Sequence, residues 1–112
     1  MQLYSEKIGS VLLAKPFDRR MDASMAVEFK QKMAALIEEG HSLVVLDMES
    51  VDFIDSSGLG AIVSSLKAIG REGDLVISGL HPTVLSMFKL TRMDRVFRLF
   101  QSKDEAVAAL SG

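Results

Sequence analysis

The run Leu43 to Met48, LVVLDM, constrains this chain more than any other segment. Five of its six residues are aliphatic or thioether side chains, with no polar residue at every second position. A strand that faces water on one side alternates, whereas a strand covered on both faces reads as a continuous apolar run. The segment therefore predicts an interior strand of a sheet with helices packed on it. At 112 residues, 48% hydrophobic and 25% charged, the chain is sized for one such core and has the composition of an ordinary globular protein. The expectation is a single domain over 1–112.

The flanking segments fill in the layers. Leu3 to Ile8 and Ser10 to Lys15 are short strand candidates separated by Gly9, and Pro16 ends the second of them. Asp22 has the chemistry of a helix cap, and Met25, Ala26, Phe29, Met33, Leu36 and Ile37 recur at helical spacing behind it until Gly40. From residue 57, Leu59, Ile62, Val63, Leu66 and Ile69 repeat the helical period. Gly70 and Gly73 then frame the exit into the strand LVIS at 75–78. Pro82 suits the first turn of a third helix carrying Val84, Leu85 and Phe88, and VFRLF at 96–100 reads as a last strand. Ser102 and Glu105 form a capping-box pattern ahead of Ala106, Val107 and Leu110. The order β, β, α, β, α, β, α, β, α predicts an α/β fold with a mixed, largely parallel sheet.

Several functions are argued against by what the chain lacks. A formal net charge of −2 provides no electrostatic footprint for nucleic acid or an anionic membrane. There are no cysteines, hence no disulfide framework and no thiol chemistry. His41 and His81 are distant in sequence and have no ligand-like neighbours, so no metal and no cofactor are assigned. No apolar stretch approaches the ~20 residues of a membrane helix, and MQLYSEK is not a signal pattern, so a cytoplasmic location is expected. Of the seven methionines, Met25, Met33 and Met48 fall on core periods.

The segment with the most chemistry is VDFIDSSGLGAIV, residues 51–63, where an apolar run ends in Asp55, Ser56, Ser57 and Gly58 and a helix begins. A serine at a helix start sits beside unpaired N–H groups and the positive end of the helix dipole, a setting that accommodates phosphate. Gly58 and Gly60 would leave the first turn uncluttered for a partner. The plainer reading is that Ser56 or Ser57 simply caps the helix. Asp47, Asp52 and Asp55 could also be imagined as an acidic pocket for magnesium and an aspartyl phosphate. A serine nucleophile, by contrast, would need a base, and neither histidine lies in a segment expected to face Ser56.

The aspartate at Asp22, the stretch LVVLDMESVDFIDSSGLGAIV, the glycine-framed GDLVISGL, the proline of HPTVLSMF and VFRLFQSKDEAVAAL occur in one collinear series. In that series the chain resembles the STAS-family anti-sigma-factor antagonists. The resemblance implies a curved sheet of about five strands, with about four helices packed mainly on one side. It also implies a non-enzymatic partner switch. In the family, the first serine after the aspartate is phosphorylated by a histidine-kinase-like serine kinase, often itself an anti-sigma factor, and is dephosphorylated by a PPM-type phosphatase. Carried to this sequence, the phosphorylated residue is Ser56, and Asp22, Asp55, Ser57, Gly58, Leu59 and Gly60 belong to the partner surface. The target would be an anti-sigma factor or another regulator.

Two departures stand out. Arg19 occupies a position where the family usually has glycine, which leaves Asp18 as a competitor to Asp22 for the acidic position, although the spacing to Ala26 and Phe29 favours Asp22. Thr91, Arg92 and Met93 replace a small-Gly-Leu turn. Both substitutions bear on partner choice, and an acidic partner is one reading of Arg19 and Arg20.

Overall fold

A computed structural model describes residues 1–111. Its main sheet has five strands, β1 (Leu3–Ile8), β2 (Val11–Pro16), β4 (Leu43–Asp47), β6 (Asp74–Ser78) and β7 (Leu99–Phe100), side by side in that order. Only the β1–β2 hairpin is antiparallel; β2, β4, β6 and β7 pair in parallel. The mixed, largely parallel sheet follows from the βαβ crossovers, since parallel neighbours need a helix-length return.

Each face of the sheet has its own core. Leu12, Ala14, Val44, Leu46, Leu75 and Ile77 face one way. They pack with Met25, Phe29 and Met33 of α1 (Ala23–Glu38), Leu59, Ala61 and Ile62 of α2 (Ser56–Ile69), and Val84 and Phe88 of α3 (Pro82–Leu90). Val11, Leu13, Val45 and Val76 face the other way, onto Ala106, Val107 and Leu110 of α4 (Lys103–Ser111). Three helices on one face and one on the other explain why LVVLD carries no polar alternation. Met25, Met33 and Met48 are buried, as their periods indicate, and so is Met21.

Three elements differ from the sequence reading. A second, two-stranded parallel sheet joins β3 (Arg20–Met21) to β5 (Phe53–Ile54), and two-residue strands carry no periodicity to detect. The expected strand at 96–100 shrinks to Leu99–Phe100, because Met93–Arg95 close a 3-10 turn and Phe97 turns into the core against Phe88, ring centroids 6.1 Å apart. The Ser102–Glu105 box is half-formed: Ser102 Oγ accepts from the Glu105 N–H at 3.2 Å, while the Glu105 carboxylate lies 3.5 Å from the Ser102 hydroxyl instead of reaching a backbone N–H. Gly40, with φ +105°, follows α1 just past its cap residue Glu39.

Candidate functional site

The site is assembled around the β3–β5 pair. Arg20 pairs with Phe53 and Met21 with Ile54, and each strand runs directly into an aspartate that caps a helix. Asp22 caps α1, its carboxylate accepting from the Ser24 N–H at 3.0 Å and the Ser24 hydroxyl at 2.5 Å. Asp55 caps α2 by accepting from the Gly58 N–H at 3.0 Å, and its own N–H donates to the Met21 carbonyl at 3.2 Å. Two helix starts thus leave the same small sheet side by side, which gathers unpaired N–H groups and two positive dipole ends in one corner.

This arrangement removes the reading of Ser56 or Ser57 as the helix cap. Asp55 holds the cap position, so Ser56 and Ser57 occupy the first two residues of α2, exposed, with neither hydroxyl serving as the cap. Gly60 is exposed too, and a methyl added there would meet nothing within 4 Å. Gly58 is different and corrects an expectation. It is buried, and a Cβ built on it would collide with the Met21 carbonyl oxygen. Its smallness serves the seating of α2 on β3, not access for a partner. Leu59 is likewise only 7% exposed and belongs to the core, so its part in any surface is limited to the floor of a groove.

That groove runs along α2 from Ser56 past Gly60 and Val63 to Lys67, with Met87, Thr91 and Met93 as its far wall and a volume of about 410 Å³. Met87 and Met93 are partly buried. Arg92, from the atypical turn, has φ +60°, the left-handed conformation that glycine adopts without strain.

The other departure has a partner inside the chain. Arg19 donates from Nε and Nη2 to the same Asp52 oxygen, at 3.0 and 2.6 Å, and this bond together with the guanidinium charge holds the Asp52 carboxyl below its usual range. Arg20 stacks over Phe53 with its guanidinium carbon 4.0 Å from the ring centroid and donates to Asp22 at 3.4 Å. The Asp22 carboxyl is lowered first by the Ser24 hydroxyl bond, an effect that exceeds the opposing desolvation. Asp18 accepts instead from the Gln2 N–H at 3.3 Å. Of the two acidic candidates, Asp22 is the one placed at the corner.

Asp47, Asp52 and Asp55 do not form a common pocket. Asp55 is bound to Gly58, Asp52 to Arg19, and Asp47 is buried against the Glu49 N–H and near Lys15. His81 Nε2 lies 2.6 Å from the Glu49 carbonyl oxygen, and His41 lies beside Glu39.

Residues 5–106 match the STAS domain. The chain belongs to the STAS domain family. This STAS chain is 29% identical over 110 residues to a Bordetella bronchiseptica protein provisionally named anti-sigma factor antagonist BtrV, covering 97% of this chain and 94% of the relative. An anti-sigma factor antagonist from Mycobacterium paratuberculosis has the same fold, with a TM-score of 0.91 at 22% identity over 99% of this chain and 94% of the other. SpoIIAA of Bacillus matches in its unphosphorylated form with a TM-score of 0.83 at 18% identity, covering 99% of this chain and 97% of the other. Its phosphorylated form gives 0.73 at 17%, covering 97% and 99%. STAS membership agrees with the mixed five-stranded architecture and with the collinear motifs of the sequence.

Proposed function

We propose that this STAS chain is an anti-sigma factor antagonist that works as a binding module without catalysis of its own, in the cytoplasm, and is switched by phosphorylation of Ser56. The observation that carries the reading is the division of labour at the start of α2: Asp55 supplies the cap, which leaves the exposed Ser56 hydroxyl at a helix N-terminus. A kinase of the histidine-kinase-like serine type would transfer the γ-phosphoryl of ATP to Ser56 Oγ, releasing ADP and the hydroxyl proton. A PPM-type phosphatase would reverse the modification by hydrolysis. The likeness to SpoIIAA, whose phosphorylated form has been solved, supports the same chemistry here. An acyl phosphate on Asp55 is disfavoured because its carboxylate is committed to the Gly58 N–H.

The unphosphorylated chain binds an anti-sigma factor, often the kinase itself, through the exposed part of the corner: Asp22, Asp55, Ser56, Ser57 and Gly60. Phosphate adds about −1.5 to −2 charges beside two aspartates. Burying that charge unpaired in an interface costs several kcal/mol, and each 1.4 kcal/mol is tenfold in affinity. Ser56→Ala should bind the anti-sigma partner as tightly as the unmodified chain, and Ser56→Asp at least ~100-fold more weakly. Calorimetry on the three proteins, with mass-spectrometric mapping of the kinase product, tests this. Phosphate found mainly on Ser57 or Asp55, or equal affinity for Ser56→Asp and the unmodified chain, would refute it.

A further inference from the structure

The strand β1 ends the five-stranded sheet, and among the described residues its backbone pairs along its length only with β2. The Phe17 N–H donates to the Gln2 carbonyl at 3.1 Å, which fixes the direction of the alternating backbone groups. Gln2, Tyr4, Glu6 and Ile8 turn theirs toward β2, so Leu3, Ser5 and Lys7 turn theirs away from the sheet. A row of free N–H and C=O groups of this kind is a template for another strand unless proline, a bulge or a covering element blunts it. LYSEKI holds no proline, and its register with β2 runs unbroken from Leu3 to Ile8, which leaves no bulge.

The side chains at this edge are also short of cover. Tyr4, Glu6 and Ile8 lie on the α4 face of the sheet, because the β2 partners of Glu6 and Ile8 are Leu13 and Val11 of the core beneath α4. Tyr4 and Ile8 are nevertheless exposed, and Phe17, also exposed, meets the Tyr4 ring edge-on with centroids 6.3 Å apart. These are three of the six large apolar side chains left exposed among the described residues, so apolar surface is concentrated at this one edge.

The order of residues in β1 says what fits there. Two copies related by a twofold axis pair antiparallel, and the free backbone groups allow long pairings centred either on Ser5, using residues 3–7, or on Glu6, using residues 4–8. Centring on Glu6 sets two carboxylates directly opposite each other, which is unfavourable. Centring on Ser5 opposes Tyr4 to Glu6 and Leu3 to Lys7, with no like charges facing. The Tyr4 hydroxyl already donates to Glu6 of its own chain at 3.0 Å, so the cross-strand pair is between matched groups. In this register each Tyr4 also lies diagonal to Tyr4 and Ile8 of the other copy, within reach of an aromatic ring. The exposed apolar side chains then cover one another.

We propose that the chain forms a twofold dimer through β1, in the register centred on Ser5. The inference is independent of the Ser56 reading, since β1 lines neither the corner nor its groove. The chain has no cysteine, so single cysteine variants report the register without background. Across the dimer, Ser5 faces its own copy at a Cα separation of ~5.5 Å, inside disulfide range. Glu6 lies ~8 Å from its copy and Lys7 about 14 Å, both outside that range. Under mild oxidation Ser5→Cys should form disulfide dimers at least ~tenfold faster than Glu6→Cys or Lys7→Cys. Sedimentation of the unmodified chain from ~10 μM to ~1 mM should show a reversible monomer–dimer equilibrium. Ser5→Pro removes one hydrogen-bond donor from each copy at a position where the N–H does not serve β2, and should weaken that equilibrium by ~tenfold or more. Should that variant fail to fold, the cysteine series carries the test. A chain that stays monomeric throughout, cross-linking at equal rates or fastest at residue 6 or 7, or a folded Ser5→Pro that associates unchanged overturns the proposal.

Discussion

Gly58 and Gly60 look alike in the sequence and act in opposite ways in the fold. A methyl on Gly58 would collide with the Met21 backbone carbonyl, whereas one on Gly60 would point into open space in a helix interior. Gly58→Ala should therefore destabilise the chain by at least about 2 kcal/mol, since backbone has to move. Gly60→Ala should stabilise it by up to about 1 kcal/mol through helix propensity. Denaturant unfolding of both variants checks the contrast. Asp22 offers a pH-resolved test of its cap. Its carboxyl is held below the usual value, led by the Ser24 hydroxyl, so its stabilising effect is present above the ordinary carboxylate pKa of about 4 and is lost as pH falls through the lower folded value. The melting-temperature gap between the unmodified chain and Asp22→Ala should be widest near neutral pH and shrink progressively below about pH 4. At this scale the sequence was informative about the Asp22 cap and about a helix start beside Ser56, because serine, aspartate and glycine there have local chemistry, but it offered Ser56 or Ser57 as the second cap where Asp55 takes that place. It was misleading about Gly58 and Leu59, whose burial depends on Met21 and the core, more than thirty positions away in the case of Met21.

Elements with a strong period were legible, and those defined by a neighbour were not. The helices α1 to α4 and the strands β2, β4 and β6 occupy the expected segments, because each carries enough apolar residues to show a repeat. The β3–β5 pair and the 3-10 turn at Met93–Arg95 are too short for that, and each was missed although it forms a wall of the corner or its groove. The turn also carries a visible strain. Arg92 holds φ +60° at the position where the resemblance leads one to expect glycine. Left-handed backbone costs a non-glycine residue roughly 1–2 kcal/mol, partly offset by the greater freedom of glycine in the unfolded chain. Arg92→Gly should raise stability by about 0.5–1 kcal/mol in thermal or denaturant unfolding, while Arg92→Val should lower it.

Across the whole molecule, the sheet separates two kinds of surface. One face carries α1, α2 and α3 and the Ser56 corner at the head of α2; the other carries α4. The unbroken apolar run of β4 made the double covering readable, but nothing in the sequence indicated that Asp47 at its end would be buried, with its ion-pair partner Lys15 on the neighbouring strand. The Ser56 corner, meanwhile, is not a linear epitope. Its helix start depends on the Met21 carbonyl, which receives the Asp55 N–H and abuts Gly58, so residues 20–22 and 53–58 must meet across the intervening α1 and β4. Closing that loop precedes any reward from the contact, so a nascent, truncated or misfolded copy lacks the corner altogether. A kinase reading this surface would consequently act as an inspector of finished molecules: a synthetic peptide of residues 51–63 should be phosphorylated at a small fraction of the rate of the folded domain, and only correctly folded copies would enter the signalling pool.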